Sequence, residues 1–228
     1  MENRLHSMQL YAITDRGRLS AAQSETVLRR QLLRLVEGWT AGSVHFIQLR
    51  EKDLSAADLQ GLAKEIAEKI DHARSKLLVN VSDAESAALA AAAGADGVHL
   101  AGKPTPGATL RARQLFRAAG RTANVNPLIS VPCHTLDDIH VARKEQVDLM
   151  LFSPVFEKLA GEKLAAPKAE PHGLEALRQA CAAAEGIPVL ALGGVSSLNA
   201  QECLAAGAAG VAGIRLFAGD DWRLLPPN

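Results

Sequence analysis

Six consecutive residues, Gln48-Leu49-Arg50-Glu51-Lys52-Asp53, follow directly on the hydrophobic run Val44-His45-Phe46-Ile47. That run reads as a buried strand, and the charges begin where its side chains leave the core. A guanidinium, a carboxylate and an ammonium at a strand's carboxyl end are costly to bury and suited to gripping an anion. Alternation sets Gln48, Arg50 and Lys52 on one side and Glu51 on the other. Three donors therefore converge, and the acid is left as a structural partner. The competing reading is a set of rim ion pairs with Glu51 and Asp53, the usual fate of mixed charge runs. The position at the end of a buried strand favours a site.

Other residues at apparent strand ends add donors and few acids. Leu192-Gly193-Gly194-Val195-Ser196-Ser197 couples a strand to a helix start. Paired glycines there let a phosphate approach backbone N–H groups, with the helix N-terminus adding partial positive charge. A tight turn that needs glycine geometry is the plain alternative. His134 stands just before Thr135, a candidate helix cap; histidine is the side chain whose unperturbed pKa lies near neutrality, so it suits general acid or base work as well as capping or packing. His99 reads as a satisfied core or rim histidine. Cys133 and His134 are neighbours in extended chain and point opposite ways, which argues against a Cys–His dyad. Asn80 and Arg215 also fall at strand ends, and Lys158 and Lys163 lie in a polar loop where one of them could close over an anion.

The elements that would position these residues alternate along the whole chain. Candidate strands cover 9–14, 44–49, 76–81, 97–100, 128–131, 147–152, 188–192 and 210–216. Most are continuous apolar runs, as expected where both faces are covered. Between them lie amphipathic stretches. Leu59, Leu62, Ala63, Ile66 and Ile70 repeat at helical spacing behind a capping-box-like Ser55 and Asp58. Another spans 197–206, with Gly207 as its C-terminal glycine cap. Eight strand–helix units over about 210 residues predict an α/β fold of one domain over 1–228: a (β/α)8 barrel near its lower size limit. A doubly wound sheet shows the same alternation, but Thr14-Asp15-Arg16-Gly17-Arg18 lacks a dinucleotide fingerprint. Segments 122–127 and 157–172 read as loose. Only 219–228 follow the eighth strand, so the last helix is expected to be short or incomplete.

Composition bounds the partners. Hydrophobic residues make up 48% of the 228, enough for a core, and aromatics at 4% make that core aliphatic. Lys+Arg and Asp+Glu are equal at 25 each, so no basic bias points to nucleic acid or anionic membrane. No apolar stretch approaches a membrane span, and the first residues lack a signal peptide's apolar region. Three dispersed cysteines form no zinc pattern and suit a reduced cytoplasm. The oligomeric state stays open, a homo-oligomer included.

Read in order, Leu10-Tyr11-Ala12-Ile13-Thr14-Asp15, Gln48-Leu49-Arg50-Glu51-Lys52 and Gly94-Ala95-Asp96-Gly97-Val98-His99-Leu100 resemble the thiamine phosphate synthase family. The match continues through His134, Ser153-Pro154-Val155-Phe156, Gly173-Leu174 and Pro188-Val189-Leu190-Ala191-Leu192-Gly193-Gly194, spanning 8–217. Thiazole tautomerases share the barrel and much of this pattern. The resemblance implies an enzyme of thiamine biosynthesis that joins hydroxymethylpyrimidine diphosphate to thiazole phosphate, releasing diphosphate with magnesium present. It implies that Gln48, Arg50 and Lys52 contact the pyrimidine and its diphosphate, that Asn80 ends strand three, and that Gly193 and Gly194 hold the thiazole phosphate. In the tautomerase reading, His134 moves a proton on the thiazole ring.

The departures bear on the metal. Family synthases carry Asn-Asp after strand three, whereas this chain has Asn80-Val81-Ser82-Asp83. After His99-Leu100 they continue with Gly-Gln and a nearby acid, where this chain has Ala101-Gly102-Lys103-Pro104. Magnesium takes oxygen ligands, usually one or two carboxylates besides phosphates. Asp83 or Glu85 could substitute, or neither does; Asp83 is the candidate ligand. Further departures are Glu157-Lys158-Leu159-Ala160 for the usual Thr-x-Thr-Lys, and Pro132 for serine. Arg215 replaces the family's phosphate-binding serine and could grip phosphate bidentately. Three readings follow: a synthase first, a metal-independent tautomerase second, and a paralogue that binds thiamine precursors without turnover.

Overall fold

A computed structural model describes residues 8–19, 24–120, 126–157 and 170–225. The short aliphatic runs form eight strands: β1 Gln9–Ile13, β2 Phe46–Leu49, β3 Lys76–Val81, β4 Gly97–Leu100, β5 Leu128–Cys133, β6 Leu149–Phe152, β7 Val189–Ala191 and β8 Gly210–Gly213. They pair in parallel and in sequence order. β8 closes on β1 through Gln9 opposite Gly210 and Tyr11 opposite Ala212. Closure decides for the (β/α)8 barrel over the open sheet. It also removes every free strand edge.

The helices form the outer ring: α1 Glu25–Ala41, α2 Ala56–Ala67, α3 Ala87–Ala92, α4 Ala108–Ala119, α5 Leu136–Lys144, α6 Gly173–Ala183 and α7 Ala200–Ala205. Alternation splits each strand between two layers. Leu77, Val79 and Val81 of β3 face the helices, as do Val98 and Leu100 of β4 and Ile129, Val131 and Cys133 of β5, in one continuous apolar cluster. Tyr11, Ile13, Leu149, Leu151, Leu190 and Ala212 form a second cluster inside the barrel.

Helix ends follow the local chemistry. The Ser55 hydroxyl accepts the Asp58 N–H at 3.2 Å, as the spacing predicts. Thr135 and Asp138 form a reciprocal capping box at α5. Gly207 takes φ +100° just past α7 and its N–H donates to Leu204 O. The helix expected over 197–206 is shorter than that, because the Asn199 side chain ties down the turn before it: Oδ1 accepts from Ser196 N–H at 2.8 Å and Nδ2 donates to Gly194 O at 3.1 Å.

Two boundaries differ from the expected ones in ways that matter. β5 runs on through Pro132 to Cys133, and β8 stops at Gly213. Arg215 therefore opens a 3-10 turn, Arg215–Phe217, and is exposed. The place of an eighth helix is taken by that turn and a second one, Asp221–Leu224. Trp222 of the second turn packs so tightly on Gly42 that a Cβ there would lie 2.1 Å from its ring. Trp39 Nε1 donates to Phe217 O at 3.0 Å, tying α1 to the turn after β8. Most of the segments read as loose, Lys158 and Lys163 among them, lie outside the described residues. No helix among the described residues is long and apolar enough to cross a membrane.

Candidate active site

The lumen is polar along one side. Gln48 of β2 is 2% exposed, and its Nε2 donates to Asn80 Oδ1 at 2.9 Å. Its Oε1 is buried without a partner among the described residues. Asn80 lies level with His99 across the β3–β4 pair, and His99 with Ser130 across β4–β5. His99 Nδ1 is 2.8 Å from Ser130 Oγ, which is 3.1 Å from the Tyr11 hydroxyl on the far side. Burial pushes the Tyr11 pKa well above the usual phenol range, so Tyr11 keeps its proton. Ser130 Oγ is the one acceptor that hydroxyl reaches among the described residues. The chain's polarity follows: Tyr11 donates to Ser130, Ser130 donates to His99 Nδ1, and His99 carries its own proton on Nε2. Burial, helped by the nearby Arg50 charge, lowers the His99 pKa to about 3. His99 is thus a neutral donor in the lumen beside Asn80, buried and satisfied by Ser130 as its reading as a core or rim histidine expects.

Above this layer β2 ends at Leu49, and the alternation argued for Arg50 and Lys52 ends with it. Arg50 is half-buried, with its N–H donating to Thr14 Oγ1 at 2.9 Å, while Lys52 is exposed. Neither cation has an ion-pair partner among the described residues. The acids between them do. Glu51 Oε2 accepts from Arg16 N–H at 3.0 Å and Arg16 Nε at 3.4 Å, and Asp53 Oδ2 pairs with Arg16 Nη2 at 2.7 Å. Arg16 also pairs with Glu25 at the start of α1. Burial pushes the Glu51 pKa up, against the Thr14 hydroxyl and Arg16, which lower it. The rim ion pairs considered from sequence are therefore not the ones formed, and the acid does serve as a structural partner.

A second cluster joins the ends of β5, β6 and β7. His134 Nδ1 is 2.6 Å from Ser153 O and 3.4 Å from Ser153 Oγ. A carbonyl can only accept, so Nδ1 carries the proton and Nε2 holds the free lone pair of the neutral ring. Gly193 and Gly194 have φ +90° and +68°. Added Cβ atoms would come within 2.8 Å of Pro154 Cα and 2.5 Å of Glu157 O. The β6 loop thus needs both glycines whatever binds there. Among the described residues, the N–H groups of Gly193 and Gly194 have no protein acceptor. Cys133 faces the helices, and burial, with Asp138 nearby, pushes its pKa up to about 12, which leaves no Cys–His dyad.

The expected metal ligand sits elsewhere. Asp83 is exposed in the turn before α3. Its Oδ1 accepts from Ser86 N–H and Oγ at 2.9 and 2.8 Å, and its Oδ2 from Ser82 Oγ at 2.8 Å. Those donors lower its pKa and use it as a turn cap. Glu85 pairs with Arg111 at 3.4 Å. Among the described residues no group of three His, Cys, Asp or Glu could hold a metal ion. The position after Asn80 is Val81, which faces the helices, and the position after β4 is Ala101, so neither supplies a carboxylate. The described residues there do not fit a carboxylate-held magnesium ion.

Comparison with known proteins bears on the whole barrel. Residues 10–217 match the profile described as thiamine monophosphate synthase. A Geobacter sulfurreducens protein named "Putative thiamine-phosphate synthase" is 39% identical over 96% of this chain and 95% of its own. A Moorella thermoacetica thiamine-phosphate synthase is 33% identical over 83% and 82%. Among solved structures, a thiamine phosphate pyrophosphorylase from Pyrococcus furiosus superposes with a TM-score of 0.65. It covers 96% of this chain and 91% of its own at 24% identity, a likeness of fold.

Proposed function

The chain belongs to the thiamine monophosphate synthase family of thiamine biosynthesis, and we propose that it is a transferase joining hydroxymethylpyrimidine diphosphate to thiazole phosphate. One observation carries this reading. In Arg50-Glu51-Lys52-Asp53 both acids are taken up by Arg16, while both cations stay unpaired among the described residues. A rim of that kind stabilises a departing diphosphate. As the pyrimidine methylene C–O bond breaks, its electron pair leaves with the diphosphate, and Arg50 and Lys52 take up the growing charge. The thiazole nitrogen then supplies the pair for the new C–N bond. Gln48 and Asn80 orient the pyrimidine from below, and the Gly193 and Gly194 N–H groups receive the thiazole phosphate. Arg215 and Lys163 remain candidates for the phosphates. No step is assigned to magnesium.

The test is diphosphate release from the two substrates, with and without magnesium. Thiamine phosphate formation that collapses in Arg50→Ala supports the reading. Absence of release under both conditions removes it.

The His134 geometry favours a second reading, a thiazole phosphate tautomerase. Nε2 is left as a free base by the Nδ1–H bond to Ser153 O, and proton transfer needs no metal. Loss of proton exchange at the thiazole ring in His134→Ala, with no coupling activity in the wild type, would select it.

A further inference from the structure

We propose that Arg16 is the positioning residue of the anion site: it captures the two acids of the Arg50-Glu51-Lys52-Asp53 run, leaving both cations free to face a diphosphate. This rests on the anion-binding reading of the rim given above.

Left to itself, the run is internally neutral. Two cations alternate with two carboxylates on one short turn, and mixed charges so placed pair with one another. What prevents it here is a fifth charge from the first strand's loop. Arg16 is 3% exposed and reaches Glu51 through its backbone N–H and Nε, Asp53 through Nη2 at 2.7 Å, and Glu25 through Nη1. The guanidinium fork alone has the donor geometry to hold three carboxylates in different directions. Glu51, with a side chain 3% exposed, is held inside by Arg16, while Lys52 beside it is exposed. Asp53 remains 74% exposed, so without its Arg16 bond it could swing to either neighbour. Arg16 has no part in holding the ligand. It acts through Glu51 and Asp53.

The experiment measures binding of inorganic diphosphate, without magnesium, by calorimetry to wild type, Arg16→Lys and Arg16→Lys/Glu51→Gln/Asp53→Asn. Arg16→Lys keeps the charge and loses the fork, so a purely long-range charge effect leaves affinity unchanged. The expected result is about a tenfold loss in Arg16→Lys, one lost charge-assisted contact, and recovery in the triple variant, whose acids can no longer pair with Arg50 or Lys52. A merely structural role would lower thermal stability without that rescue. Wild-type affinity in Arg16→Lys, or no recovery in the triple variant, overturns the proposal. No binding by the wild type would instead remove the anion-site reading on which it rests.

Discussion

Strands β6, β7, β8 and β1 turn Leu149, Leu151, Leu190, Ala212 and Ile13 into the lumen, whereas β2 to β5 turn Gln48, Asn80, His99 and Ser130 there. Tyr11 spans the divide, its ring packed in the apolar cluster and its hydroxyl on Ser130. Barrel interiors are usually filled by branched aliphatic layers. The apolar side obeys that rule and fills space. The polar side exchanges packing for directed donors and acceptors, each costly to bury unless paired. Most of its groups are paired with one another, and Gln48 Oε1 is the exception among them. One half of the same barrel therefore contributes stability, and the other holds groups in fixed orientations.

That contrast can be broken by substitution. On the apolar side, Leu151→Ala opens a fully enclosed cavity and should cost about 2–5 kcal/mol in denaturant unfolding, with the affinity for diphosphate of the remaining folded protein unchanged. On the polar side, Arg50→Ala should do the reverse: about a hundredfold loss in kcat/KM, near 3 kcal/mol, with unfolding hardly shifted. Equal effects on both properties in either variant would erase the distinction.

A smaller effect reads the pH dependence of the polar half. His99 has its folded pKa lowered to about 3 from the usual 6.5. Between those values the unfolded chain binds the proton that the folded protein refuses, so stability falls as pH drops through that window. The slope from this one group is at most about 1.4 kcal/mol per pH unit. His45, lowered by burial, adds in the same direction. Glu51, raised, opposes it above the ordinary carboxylate range. Unfolding of His99→Gln across pH 4–6 should show a flatter acid limb than wild type; an identical limb would mean that His99 is not held neutral.

The smallest change sharpens the boundary between the halves. Tyr11→Phe keeps the apolar ring and removes the hydroxyl that orients Ser130. It should cost about 1 kcal/mol, and should free the His99 ring to exchange tautomers, visible in its nitrogen chemical shifts. A single unchanged tautomer would show that Ser130 alone sets it.

Much of the barrel was legible because buried parallel strands write themselves as apolar runs. Seven of the eight expected strands match the observed ones to within two residues at each end. The eighth was read past Gly213 because Val211-Ala212 and Ile214-Arg215-Leu216 look continuous, though the chain turns after Gly213. The strand-end rule also named Gln48, Asn80 and Arg50, of which the structure joins Gln48 to Asn80 in the lumen and sets Arg50 just past the end of β2. What it misjudged, it misjudged for lack of the third dimension. Asp83 looked like a metal acid by its count from Asn80, but the two serines beside it make it a turn cap. His99 is the satisfied core or rim histidine expected, but its partners, Ser130 and through it Tyr11, are distant in sequence and could not be named. Arg16 passed unnoticed in the first loop, since the acid beside it in sequence is Asp15, whereas those it pairs with, Glu25, Glu51 and Asp53, lie 9, 35 and 37 positions away.

The amino-acid sequence by itself determined the periodicity of burial, and with it eight strands, their order and the rim where polar residues emerge. These are local properties, set by side-chain alternation and by the glycine and capping residues at each turn. Tertiary structure alone decided which charges pair and which proton sits where. Arg16 meets Glu51 across 35 positions, and Tyr11 meets Ser130 across 119. Hydrogen bonds and ion pairs depend on distances of a few ångströms, and only the pairing of β1 with β2 and the curl of the sheet into a barrel bring such distant residues within them.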